Sequence, residues 1–196
     1  MGVVVVEPPQ VQPVTVAEAK AFFRFPHDDE DALIAELIEA ATESVEQQCG
    51  RVFVQRVMQA TFHHFPVGDV IRLRPAPLLE VEGVSYRNPD GDVIFLDEGV
   101  DYLVDTSETL GEVLPLRSWP RTGDFPDAVT VSFIAGYPSD GGSPEDLTAR
   151  IPAKAKAAIK SLAAHWFEQR EAIAFAAAHE VPFHVRRLCN QLKVWR

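Results

Sequence analysis

The apolar residues of this chain change period twice, and that switch limits the fold more than any other feature. Leu33, Ile34, Leu37, Ile38, Ala41, Val45 and Gln48 recur at helical spacing, with Glu36, Glu39, Glu43 and Glu46 on the other face. From residue 52 the repeat shortens to two: Val52, Val54, Met58, Ala60 and Phe62 alternate with polar positions, as on a half-buried strand. Helical spacing returns after Pro152, where Ala155, Ala158, Ile159, Leu162, Ala163, Trp166 and Phe167 form one stripe. Helices on both sides of a run of short strands imply an α+β fold. Its helical core is built from the N- and C-terminal helices, with an inserted antiparallel β region, a small meander or barrel.

Local signals divide the chain into five segments. Residues 1–14, with Pro8, Pro9 and Pro13, read as an extended arm. Residues 15–51 hold the N-terminal helices. Thr15 and Glu18 have capping-box spacing ahead of Val16–Phe23, and Pro26 separates that helix from the acidic one. His27-Asp28-Asp29-Glu30-Asp31 puts negative charge at the start of the long helix, and Gly50 stops it. Residues 52–137 are the β insert, with short strands expected at 70–74, 79–86, 93–96, 102–104, 113–116 and 128–135. Asn88-Pro89-Asp90-Gly91 is its strongest turn. Residues 138–180 are a loop and a long helix begun by Pro152 and carried to about Glu171; Ala172–His179 either continues it or links flexibly. Residues 181–196 form a closing helix and tail, in which Val185, Leu188, Cys189 and Leu192 oppose Arg186, Arg187, Asn190 and Lys193.

Charge is distributed as unevenly as period. The chain carries −11, yet its last 46 residues hold eight Lys/Arg against three acids, so +5 there leaves −16 on the rest. Such a balance argues against sequence-independent wrapping of nucleic acid, which needs cations on phosphates. A closing Lys193-Val194-Trp195-Arg196 is an odd tail for solvent and reads as a docking element for a protein partner. Chemistry is not in evidence. His63-His64 point to opposite faces of a strand and cannot share a metal, and His165 lacks a partner at i+4. Asp28–Asp31 lacks the Gly and closing Glu of a calcium loop. There is no nucleophile elbow and no phosphate-cradling glycine motif, so no cofactor is expected. Cys49 and Cys189 have no CxxC neighbours and read as buried free thiols. No stretch approaches the roughly 20 apolar residues of a membrane span, and Val3–Val6 is too short for a signal-peptide core, so a chain made and kept in a cytoplasm is expected.

The order of several local motifs resembles the head–tail adaptor (connector) proteins of long-tailed phages and gene transfer agents, from about Pro13 to Arg196. It rests on Pro13-Val14-Thr15-Val16-Ala17-Glu18-Ala19-Lys20, on the acidic helix running to Cys49-Gly50-Arg51, and on Ile71-Arg72-Leu73 with Pro77-Leu78-Leu79-Glu80-Val81. Tyr102-Leu103-Val104-Asp105, Val131 to Tyr137, Ile151-Pro152, His165 to Ala172 and Val181-Pro182 onward complete it. Cys189-Asn190 departs from the aliphatic pair expected in the closing helix.

That resemblance implies a structural protein with no catalysis, forming a ring of twelve copies under a portal protein at the head–tail interface. The ring would extend the DNA channel and carry a stopper or tail-completion protein on its other side. Arg186, Arg187, Leu192, Lys193, Val194, Trp195 and Arg196 are then the candidate portal contact. Glu36, Glu39, Glu43 and Glu46 are the candidate acidic face past which DNA slides without sticking. Its partners are the portal, the stopper and other copies of itself. Three other readings are a tail-completion or stopper protein of the same particle, a small hydrolase using His165 or His64, and a generic acidic interaction module.

Overall fold

Why the period switches is visible in the computed structural model, which describes residues 2–66, 68, 70–107, 110–139, 141–169 and 181–194. The chain forms two compact units, one of strands (Met1–Pro9 and Gln55–Pro138) and one of helices (Gln10–Val54 and Ser139–Arg196). The first arm segment and the middle third thus share one unit, and the two terminal thirds share the other.

In the strand unit, β1 (Gly2–Glu7), β2 (Arg56–Phe62), β8 (Val129–Ala135), β4 (Leu78–Arg87) and β5 (Val93–Leu96) make a five-stranded sheet in that order. β3 (Ile71–Arg72), β7 (Glu112–Pro115) and β6 (Tyr102–Asp105) make a second sheet of three. Every strand pair is antiparallel, and the order is interleaved: β8, last in the chain, sits between β2 and β4. Its residues suit that central place. Val129, Val131, Phe133 and Ala135 are buried on one face, and both edges of the strand are fully paired. β4 meets β8 with two register shifts, near Glu80 and Glu82. Gly111 passes so close to Leu78 that an added Cβ would lie 2.0 Å from its Cδ2.

The expected strand from Val52 is shorter than the alternation suggests, since β2 begins only at Arg56. Val52, Phe53 and Val54 are all at most 3% exposed, so that segment is enclosed on every side rather than half-buried. It belongs to the helical unit.

That unit is organised around α2 (Asp31–Cys49), against which α1 (Val16–Phe23), α4 (Ala153–Glu168) and α5 (Phe183–Leu192) pack. The Thr15–Glu18 capping box is formed, and Gly50 ends α2 at a φ of 65°, a left-handed conformation natural to glycine. Ile34, Ile38, Ala41 and Val45 of α2 are buried, as are Ala155, Ala158, Ile159, Leu162 and Ala163 of α4. The rings of Phe23 and Phe25 pack against Phe167 with centroids 5.3 and 5.2 Å away, the first tilted and the second edge-to-face. The α4 helix is described to Glu168; its expected end at about Glu171 and the ambiguous Ala172–His179 lie outside the described residues. One helix was not anticipated, α3 (Pro144–Ala149). Its signal was legible as Ser143-Pro144-Glu145-Asp146, and that capping box is formed.

Candidate docking surfaces

The closing segment is built as a clasp on α2. Pro182 begins α5 with its backbone already constrained, and Val185, Cys189 and Leu192 turn inward. After the helix the chain extends at Lys193, and the Val194 N–H donates to the Cys49 carbonyl at 3.0 Å. Arg51 Nε donates to the Leu192 carbonyl at 2.5 Å. Cys49 and Leu192 are the last residues of their helices, so each tie satisfies a carbonyl that helix geometry leaves without a partner.

Burial divides the residues of the expected portal contact. Leu192 and Val194 are 8% and 9% exposed, so their apolar surface is already covered by the chain itself. They hold the segment down rather than offer an anchor. Arg186, Arg187 and Lys193 are exposed and form the outward basic face. Trp195 and Arg196 lie outside the described residues.

The Cys189 departure has a structural meaning. Cys49 and Cys189 are free, buried thiols, and Cys49 Sγ donates to the Cys189 carbonyl at 3.6 Å. The hydrogen bond to Cys189, together with burial, pushes the Cys49 pKa up, which keeps the thiol neutral and unreactive.

The acidic face is smaller than the sequence implies. Glu36, Glu39 and Glu43 are exposed, but Glu46 is only 9% exposed and its Oε1 accepts the Phe53 N–H at 2.8 Å. The turn after Gly50 folds Phe53 back over the last turn of α2, and Glu46 receives it. A carboxylate used this way is removed from any channel surface. The cluster before α2 is also committed. Lys20 of α1 pairs with Asp28 and, at 2.7 Å, with Asp31, so these acids tie α1 to α2. The hydrogen bond from Lys20 lowers the Asp28 pKa, and the bonds to Asp28 and Asp31 raise that of Lys20.

His63 and His64 are exposed just beyond β2. Among the described residues no three His, Cys, Asp or Glu come together as a metal site, and no helix is long and apolar enough to cross a membrane.

Two surfaces went unread in the sequence. Val4, Val5 and Val6 of β1 are exposed, as are Val93, Ile94 and Phe95 of β5, and both are unbroken apolar runs on sheet edges. A groove of about 310 Å³ runs beside β5, with Ile94, Leu96, Tyr86, Trp119 and Arg117 among its walls.

Comparison with known proteins agrees with this architecture. Residues 13–73 match the family model of phage gp6-like head-tail connector proteins. A chain from the neck of an empty GTA particle, computed with C6 symmetry, is 20% identical with a TM-score of 0.78, over 100% of this chain and 97% of that one. The same values hold for a chain from the virion of a native gene transfer agent (GTA) particle. A chain from the neck of a native GTA particle, computed with C12 symmetry, gives 0.70 at 20% identity over 98% and 96%. No curated protein matches the chain in sequence. The chain thus resembles head-tail connector proteins by family model over residues 13–73, and it shares the fold of a chain of a GTA particle neck over essentially its whole length.

Proposed function

We propose that this protein is a structural head–tail adaptor, a ring-forming connector under a portal and not an enzyme. One observation carries the reading: the fold is shared over the full length with a chain of a GTA particle neck. The family match over α1 and α2 supports it. The finer picture is a twelve-copy ring that extends the DNA channel and carries a stopper or tail-completion protein. In that ring Arg186, Arg187 and Lys193, continued by Trp195 and Arg196, face the portal. Glu36, Glu39 and Glu43 are the acids offered to the channel, where like charge keeps DNA phosphates from adhering.

A −16 body and a +5 end give such a ring complementary charge to arrange between unlike surfaces. Native mass spectrometry with and without the portal ring of the same particle tests the proposal. A twelve-copy complex on the portal is the expected result. A stable dimer indifferent to portal would overturn it.

A further inference from the structure

β1 and β5 are the two edges of one sheet, and apart from a register shift between Val5 and Glu7 of β1 neither carries the protection that edges usually have. Natural edge strands carry charges, prolines or inward-turned bulges that prevent another chain from pairing with them. β1 reads Gly-Val-Val-Val-Val-Glu and β5 reads Val-Ile-Phe-Leu, with no charge inside either apolar run. Runs without alternation belong to strands covered on both faces. Here both faces are open: Val4 is 56% exposed on one side of β1 and Val5 48% on the other, and Val6, at the register shift, is 54% exposed. On β5, Phe95 is 76% exposed and Val93 52%, while Ile94 and Leu96 line the groove.

We propose that these edges meet between copies, the β1 of one subunit docking along the β5 of the next. This rests on the adaptor reading, because a ring is closed by unlike surfaces that meet head to tail. The occupant is identified by what the two edges share and by where they differ. Each presents four consecutive apolar residues, so neither is longer than the other can cover. β1 ends on the exposed acid Glu7, and the groove beside β5 contains the exposed Arg117. Asp101, also at that groove, accepts the Asp97 N–H at 2.9 Å, and Arg117 is the cation there that an incoming acid can meet. Each copy carries both halves, so the contact can propagate until the ring closes.

Disulfide trapping separates this from the alternatives. Four strand spacings, about 19 Å, divide β1 from β5 within one copy, far beyond the roughly 7 Å limit for a disulfide. A chain carrying Val4→Cys or Val5→Cys together with Ile94→Cys or Phe95→Cys can therefore cross-link only between copies. The native thiols are buried and serve as the background control.

The expected result, on protein mixed with the portal ring of the same particle and oxidised, is a ladder of covalent multimers from at least one double variant. The single variants should give none. Phe95→Asp, at a site too exposed to unfold the sheet, should lower ring formation at least tenfold. Rings on the portal without a ladder would overturn this inference and leave the adaptor reading standing. A ladder with no portal binding would support the edge contact and overturn the adaptor reading. Dimers from single variants would mean that like edges pair, and would overturn the head-to-tail contact; absence of both rings and ladder would overturn both.

Discussion

Truncating Leu192 should separate what holds the closing segment down from what it offers to a partner. The side chain is 8% exposed at the last turn of α5, beside the carbonyl that Arg51 grips at 2.5 Å. Buried Leu→Ala changes cost about 2–5 kcal/mol, the lower values arising where surroundings can relax into the gap. A helix end next to an extended tail can relax, so about 2 kcal/mol is expected for Leu192→Ala. For a chain of this size that corresponds to a fall in Tm of about 4–8 °C. Arg186→Ala and Arg187→Ala remove only exposed side chains and should stay within about 0.5 kcal/mol of the parent. Urea unfolding followed by tryptophan fluorescence measures the first quantity, and co-sedimentation with portal rings the second. The arginine variants should lose portal binding while keeping stability. If Leu192→Ala unfolds at the parental urea midpoint, or the arginine variants lose more than about 1 kcal/mol, the division of labour argued from burial is wrong.

Two further outcomes follow from the same contacts. Glu46→Ala should destabilise by about 1.5–3 kcal/mol, because it strands the Phe53 N–H that its carboxylate accepts, whereas Glu36→Gln, Glu39→Gln and Glu43→Gln should each be near neutral in chemical denaturation. The Lys20 pair predicts a pH window. Asp28 is held below its ordinary 3.8, so its contribution is complete above 3.8 and disappears as pH falls through the lowered value. Lys20 is held above 10.5, so its contribution is complete below 10.5 and disappears as pH rises through the raised value. Asp28 is 88% exposed, which keeps the effect on stability small, but NMR titration reads it directly. The Asp28 carboxyl should titrate below 3.8 in the parent and return toward 3.8 in Lys20→Met; a parental value at or above 3.8 would contradict the pairing.

The long helix, its glycine stop, the capping box at Thr15 and most strand positions were legible because each depends on neighbours in sequence. Periodicity reports which residues need cover, and Thr15, Gly50 and Pro182 act within one turn of where they stand. The interleaved order of the sheet was not legible, since β8 pairs with β2 and β4 across 42 or more residues and strand alternation names no partner.

The same limit explains which side chains at the candidate site the sequence left undecided. Glu46 follows Glu43 at the same spacing by which Glu39 follows Glu36, and only the return of Phe53 over α2 makes it a buried acceptor. Leu192 and Val194 showed that they need cover, and the tertiary structure decided that the chain itself supplies it, with the segment packed on α4 and α2 and tied to the end of α2. The sequence by itself determined an α+β chain with an acidic body and a basic end. Which charges stay exposed, and which apolar runs remain open on the sheet edges, depended on contacts between segments far apart in the chain.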